Sequence, residues 1–187
     1  YYEPNFYMNQ YGGAEGSPYL NEEFTPARID DMDKTHLVRF NAVDGTTEVM
    51  SAEQKVLVLD NTKKYVIVLK DGSDKVYETH EYLNGKGDIN TSFFELLHKT
   101  MAFRLYLKEE KKYFRRVKAQ GYASEKPARF EKIKDAFYLS DFQGSSDKLI
   151  PVPEKMKSFG DLFGEESASV RKYIKDNKLK PDNADDL

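Results

Sequence analysis

Four strand-like runs, separated by turn dipeptides, constrain the fold of this chain more than any other feature. The runs are Leu37–Val43, Lys55–Asp60, Lys64–Lys70 and Lys75–Leu83, with turns at Asp44-Gly45, Asp60-Asn61 and Asp71-Gly72. Asp-Gly between apolar runs favours a hairpin, because glycine adopts the positive φ that a tight two-residue turn requires. The segment therefore predicts an antiparallel β-meander.

Similar patterns continue after this segment and define the predicted fold class. Further strands are predicted at Arg28–Met32, Met101–Leu107, Tyr113–Lys118, Ala136–Ser140 and Leu149–Val152, with a short turn through Phe93–Leu97. We expect a mainly β, α+β fold: an antiparallel up-and-down β-meander of about eight strands, curved or barrel-like, followed by a C-terminal helical hairpin. The predicted organisation is an extended aromatic arm over residues 1–24, a β domain over 25–152 and a helical segment over 153–187.

Two of the runs are apolar on both strand faces. Val56–Leu59 and Tyr65–Leu69 contain no charged residue. A strand with one face in water would alternate between apolar and polar residues. We therefore expect both runs to be central and covered on both sides. The residues predicted to be among the most buried are Val58, Leu59, Val66, Ile67 and Val68.

The last 35 residues change to helical spacing. Pro153 suits the first turn of a helix that ends at Gly164, and a second helix begins near Ser167. Asn183 is expected to cap a third helix that begins at Ala184. Because the two-sided strands need a cover, we expect the tail to dock on them. The predicted docking residues are Phe159, Phe163, Val170, Tyr173 and Ile174.

The first 24 residues show neither strand nor helix periodicity. They combine aromatic residues with Asn, Gly and Pro, which is typical of an extended arm. Two arrangements stay open: the arm packs on its own domain, or its aromatic side chains enter a groove of a partner protein. Aromatic residues commonly anchor such interfaces. The candidate partner-binding residues are Tyr1, Tyr2, Phe6, Tyr7 and Tyr11.

Composition and charge narrow the possible functions. The chain has 187 residues, a formal net charge of −3 and no Cys, so thiol catalysis and thiolate metal sites are excluded. No apolar run reaches the roughly 18 residues of a membrane-spanning helix. The chain starts without Met, as a secreted chain does after signal cleavage, or as an incomplete chain does. We expect a periplasmic or secreted location.

The sequence contains no recognisable catalytic constellation. The histidines His36, His80 and His98 lack metal-ligand spacing, and acidic pairs such as Asp30-Asp31 fit loop ends. No phosphate-binding or dinucleotide-binding glycine motif is present. We therefore predict no enzyme activity, no cofactor and no metal, although an enzyme with dispersed catalytic residues stays an alternative.

One basic stretch raises the question of nucleic-acid binding. Residues 108–118 interleave Lys and Arg with Tyr113 and Phe114, as single-strand binders do. The same stretch contains Glu109 and Glu110, and the whole chain is acidic. Lysines also protect exposed strand edges from aggregation. The sequence therefore favours a protein partner and no nucleic acid.

Both ends of the chain resemble a known group of proteins. The segment Glu165–Leu187, EESASVRKYIKDNKLKPDNADDL, is similar to the C-terminal helical hairpin of small envelope proteins from flavobacteria and other Bacteroidota. The segment Gly16–Phe24, GSPYLNEEF, resembles the entry to the β-meander of the same group. These motifs are structural. The resemblance implies a periplasmic or secreted protein, and one such context is the plug subunit of the type nine secretion translocon.

Two functions follow as expectations. The first is a non-enzymatic periplasmic accessory subunit that binds a protein partner in an outer-membrane assembly, plugging or supporting a type nine secretion translocon. The alternative is a small β-barrel protein of the envelope that binds an apolar ligand such as a lipid, because about eight strands can close around a pocket.

Overall fold

The fold is described by a computed structural model for residues 11–30, 32, 34–101, 103–119, 124–140, 147–180 and 183–187. It is mainly β and antiparallel with a C-terminal helical region, as predicted. The strands among these residues are β1 (Thr25–Ile29), β2 (Thr35–Asn41), β3 (Thr46–Met50), β4 (Val56–Val58), β5 (Val66–Leu69), β6 (Val76–Leu83), β7 (Ile89–Lys99), β8 (Arg104–Lys108), β9 (Lys111–Phe114), β10 (Arg129–Lys132), β11 (Ala136–Leu139) and β12 (Ile150–Pro151). The helices are α1 (Met156–Asp161) and α2 (Ser167–Asn177), with 3-10 turns at Gly164–Glu166 and Ala184–Asp186.

Ten of these strands form one sheet and two form a small second sheet. The order in the large sheet is β12-β11-β8-β7-β6-β5-β1-β2-β3-β4, and the small sheet pairs β9 with β10. The prediction that Val56–Leu59 lies in the centre is wrong, because β4 is the last strand in this order. The central position predicted for Tyr65–Leu69 is correct, since β5 lies between β6 and β1.

The turn dipeptides differ in what they connect. Asp44-Gly45 and Asp71-Gly72 each join paired strands, and both glycines have positive φ, 67° and 93°. Asp60-Asn61 does not close a hairpin, because β1 pairs with β5 and takes the place that we expected for β4. The register aligns Ala27 with Leu69. Turn chemistry alone therefore identified two hairpins, whereas the third connection crosses to a more distant strand.

The chain forms two compact units, each with its own core. The first contains the described residues up to His80, together with Thr91–Glu95 and Glu109–Asp135. The second contains Glu81–Asn90, Leu96–Lys108 and Ala136–Leu187. The predicted helical segment thus shares its unit with strands.

The core of the first unit tests the burial prediction. Leu59 and Ile67 are 1% exposed and Val58 is 4% exposed, which confirms these three residues. Val66 and Val68 are half-buried, so the prediction is wrong for them. The reason is strand alternation, because only Ile67 and Leu69 of β5 belong to the core cluster.

Two further elements differ from the sequence-based expectation. The Phe93–Leu97 segment is part of the 11-residue strand β7 and not a turn. Within β7, the residues Ser92–Glu95 are all buried, so this strand lacks the alternation by which strands are recognised in a sequence. The strand predicted from Met101 begins instead at Arg104, and Met101 is fully exposed. Alternating apolar residues therefore indicated the strand but not its start.

The helical tail packs on strands of its own unit. Leu105 of β8, Leu139 of β11 and Val152 form a buried cluster, and Phe159 and Leu162 pack against it. The structure confirms Phe159 as a docking residue, and the strands that it covers are β8 and β11, whereas we expected β4 and β5.

The remaining predicted docking residues differ in how far they are buried. Ile174 is buried, and Phe163 lies against Phe159 with their ring centroids 5.3 Å apart. Val170 is half-buried. Tyr173 is 64% exposed, so its predicted docking is wrong.

Asn183 caps the last turn as predicted, but that turn is a 3-10 helix and not an α-helix. Within the described residues, no helix is both long enough and apolar enough to cross a membrane.

A charge in this tail should weaken its docking. Leu162→Asp removes a half-buried side chain from the cluster, and we expect the free energy of unfolding to fall by about 1–2 kcal/mol. Thermal unfolding measures the change. The matched control is Tyr173→Asp, which should stay within about 0.5 kcal/mol of the unmodified protein because Tyr173 is exposed. Equal effects of the two substitutions would contradict the packing described here.

Candidate binding site at the arm and the basic hairpin

The described part of the arm, residues 11–24, packs on its own unit. The backbone N–H of Glu15 donates to the carbonyl of Ala128 at 2.8 Å, and the N–H of Phe130 donates to the carbonyl of Glu15 at 2.9 Å. Further along, the N–H of Ala42 donates to the carbonyl of Pro18 at 2.8 Å. These bonds join the arm to β10 and to the C-terminal end of β2, so this part of the arm follows the self-packing alternative.

A largely buried ion pair holds the arm, and we name it and its aromatic neighbours the arm latch: Tyr19, Phe24, Arg39 and Glu48. Arg39 donates from Nη2 to Glu48 Oε2 at 2.6 Å, and Tyr19 OH donates to Glu48 Oε1 at 3.1 Å. The guanidinium of Arg39 lies 3.6 Å from the Tyr19 ring centroid and 4.4 Å from that of Phe24. The latch therefore joins the arm to β2 and β3 through charge, hydrogen bonds and stacking.

The latch also fixes the protonation state of Tyr19. Burial, followed by the negative charge of Glu48, raises the pKa of Tyr19 to about 12. A phenol with this pKa keeps its proton at neutral pH. Tyr19 therefore acts as a hydrogen-bond donor to Glu48 over the physiological range.

A lysine at the start of β9 ties the arm to the small sheet. Lys111 Nζ donates to the carbonyl of Ser17 at 3.0 Å and to that of Tyr19 at 2.5 Å. Backbone carbonyls next to an ammonium group form charge-assisted hydrogen bonds. The arm and β9 are thus held together at the point where the small sheet begins.

The small sheet is a hairpin rich in cations, and we name residues 111–134 the basic hairpin. Strands β9 and β10 pair with Phe114 opposite Arg129. A bridge between Val117 and Lys126 continues the same register beyond the ends of β9 and β10. The described residues from Arg115 to Pro127 are all exposed. The hairpin therefore has a stem that contacts the arm and an exposed outer part.

One face of the stem carries an aromatic cluster beside two arginines. The Tyr11 ring lies 4.7 Å from Tyr113 and 5.1 Å from Phe130, measured between centroids. Tyr11 and Tyr113 line a cleft of about 510 Å³ with Arg115 and Arg116. We name these four residues the Arg–Tyr cleft. It offers two aromatic rings and two cationic groups side by side.

The opposite face of the stem holds its cations over a ring. Arg129 Cζ lies 4.9 Å from the centroid of the Phe114 ring, and Lys112 Nζ lies 5.5 Å from it. Side chains of successive strand residues point to opposite faces, which explains why Tyr113 and Phe114 belong to different clusters. Both faces of the hairpin therefore combine aromatic and cationic groups.

A second cavity, of about 220 Å³, lies elsewhere in the first unit. Its lining includes Val38, Phe40, Leu69, Asp71, Lys75, Tyr77 and Glu109. Lys75 Nζ bonds Glu95 Oε2 at 2.9 Å, and burial together with the charge of Glu95 raises the pKa of Tyr77. Sites for drug-sized ligands usually measure about 300–1,000 Å³. This cavity lies below that range, whereas the Arg–Tyr cleft, at about 510 Å³, lies within it, so the geometry favours the Arg–Tyr cleft as the candidate site.

His80 has a carboxylate partner among the described residues. Its Nε2 lies 2.9 Å from Glu78 Oε2, and the two side chains are 15% and 10% exposed. His80 and Glu78 therefore form a largely buried pair. In the part of the chain that the structure describes, no three His, Asp or Glu residues come together as a metal site.

Of the five predicted partner-binding residues, one is described. Tyr11 is half-buried in the aromatic cluster of the hairpin. Tyr1, Tyr2, Phe6 and Tyr7 lie outside the described residues. The basic stretch that contains Tyr113, Arg115 and Arg116 was recognised in the sequence, but its pairing strand β10 was not.

Comparison with known proteins adds no family to this description. Neither known protein families, nor curated proteins, nor solved structures gave a match.

Proposed function

We propose that this protein is a non-enzymatic binding subunit of the bacterial cell envelope, and that it holds a protein partner at the Arg–Tyr cleft. The observation that carries the proposal is the cleft itself, with Tyr11 and Tyr113 beside the exposed Arg115 and Arg116. Tyr and Arg are enriched at the residues that dominate protein interfaces.

The packing of the site supports a binding role. Backbone bonds to β10 and the ammonium group of Lys111 hold the arm, and the Tyr11 ring lies 4.7 Å from the Tyr113 ring, measured between centroids. A site whose groups are already ordered loses less entropy when a partner binds. The cleft is therefore suited to recognition without rearrangement of the stem.

The proposed location and assembly rest on the resemblance of the two ends to envelope proteins of Bacteroidota. Within that setting, an outer-membrane assembly such as the type nine secretion translocon is the candidate partner. Such a partner would meet the cleft from outside the stem, where residues 115–119 are exposed.

Site-specific photo-crosslinking in the cells that naturally make the protein tests this function. A benzophenone amino acid replaces Val117, which is 55% exposed beside the cleft, and in a matched control it replaces Tyr173, which is 64% exposed on α2. We expect a discrete protein adduct from position 117 alone, which is lost when Arg115→Ala is added. Identical adducts from both positions, or no protein adduct from position 117, would contradict the proposal.

A further inference from the structure

The basic hairpin concentrates positive charge in an acidic protein. Its 24 residues contain nine Lys and Arg and two Glu, a net charge of +7. The whole chain carries −3, so the other residues together carry −10. Such a charge distribution attracts anionic partners to one part of the surface.

Internal partners neutralise only some of these cations. Arg116 pairs with Glu125 at 2.5 Å, and Lys132 with Glu109 at 2.8 Å. Arg129 pairs with Glu131. These ion pairs account for three of the nine basic residues of the hairpin.

Four exposed basic groups of the hairpin have no ion pair to any described residue, and they lie on the outer part and on the stem. They are Lys112, Arg115, Lys118 and Lys126. Arg115 stands beside Tyr11 and Tyr113 in the cleft. A guanidinium next to aromatic rings can bind a carboxylate through two parallel hydrogen bonds while an apolar group contacts the rings.

From this arrangement, and on the basis of the proposed function, we infer that the Arg–Tyr cleft takes an acidic peptide segment of its partner, in extended form, with a carboxylate on Arg115 and an aromatic side chain against Tyr11 and Tyr113. Along a strand, side chains on one face are about 7 Å apart. An extended segment with an acidic and an aromatic residue two positions apart therefore follows the spacing of Tyr113 and Arg115.

Other anionic macromolecules fit the hairpin less well. A nucleic acid presents phosphates along its whole length, whereas Glu125 and Glu131 neutralise Arg116 and Arg129 and interrupt the row of cations. A membrane surface would need apolar side chains to insert, and the exposed ones in the described hairpin are Val117 and Ile133. The guanidinium of Arg115 beside two aromatic rings instead matches a short segment with one carboxylate and one aromatic side chain.

Binding of the full chain to three probes tests the inference: a copolymer of Glu and Tyr, a short oligothymidine, and phosphatidylglycerol vesicles. We expect the copolymer to bind, and Arg115→Ala to weaken its binding by about tenfold. Arg115→Lys, which keeps the charge but loses the bidentate geometry, should give an intermediate loss. The control Lys172→Ala removes an exposed charge on α2 and should change nothing.

Three results would overturn the inference. These are no binding of the copolymer, copolymer binding that Arg115→Ala does not weaken, and binding of oligothymidine or vesicles that is as tight as that of the copolymer. If crosslinking at position 117 succeeds while copolymer binding fails, the cleft binds a protein that is not acidic. The proposed function then survives, and the inference about its partner does not.

Discussion

Ile67→Asp should unfold the protein. Ile67 is 1% exposed in β5, between β1 and β6, and belongs to the core of the first unit. The substitution loses the burial of a large aliphatic side chain and places an unpaired charge in the core. We expect a loss of more than about 4 kcal/mol, among the largest effects of single substitutions. Circular dichroism and thermal unfolding of the variant measure the result.

Leu37→Asp is the matched control for Ile67→Asp. Leu37 is also an aliphatic strand residue, but it is 42% exposed on β2. Its replacement by Asp should leave a folded protein with a cooperative transition. An Ile67→Asp variant that stays soluble and melts cooperatively would contradict the central position of β5.

The second large loss of stability is expected when the arm latch is disrupted. Glu48→Ala removes the carboxylate that accepts from both Arg39 and Tyr19, and leaves the charge of Arg39 without this partner in a site where its side chain is 16% exposed. Removing one member of a buried pair typically costs about 3–5 kcal/mol. For a chain of this size the melting temperature should fall by about 6–20 °C.

An exposed ion pair provides the control for the latch. Glu53 and Lys55 lie 3.1 Å apart with side chains 74% and 63% exposed. Glu53→Ala should change the free energy of unfolding by less than about 1 kcal/mol, because exposed pairs contribute little. Similar melting temperatures for Glu48→Ala and Glu53→Ala would show that the latch does not fasten the arm.

The fold class could be predicted from local patterns, whereas the strand order could not. Alternation and Asp-Gly turns identified the hairpins at Gly45 and Gly72, which depend on neighbouring residues. The insertion of β1 between β2 and β5 depends on contacts about 40 residues apart along the chain, between Ala27 and Leu69. No local signal marks such a pairing, so the apolar run at β4 was interpreted as central.

The candidate site shows the same division. The sequence placed Tyr113, Arg115 and Arg116 in one basic stretch and Tyr11 in an aromatic arm. Their proximity depends on Phe130 and on the backbone bonds of Glu15 to β10. The signal for β10 was present in Arg129–Lys132, where apolar and charged residues mix next to the basic stretch, but four residues give a weak strand pattern.

Mapping of backbone amide chemical shifts during titration with the Glu–Tyr copolymer tests most directly whether the Arg–Tyr cleft is the binding site. We expect the largest changes at Tyr11, Tyr113, Arg115 and their neighbours, and their loss in Arg115→Ala. Changes confined to the lining of the smaller cavity around Tyr77, with none in the basic hairpin, would contradict this assignment of the site.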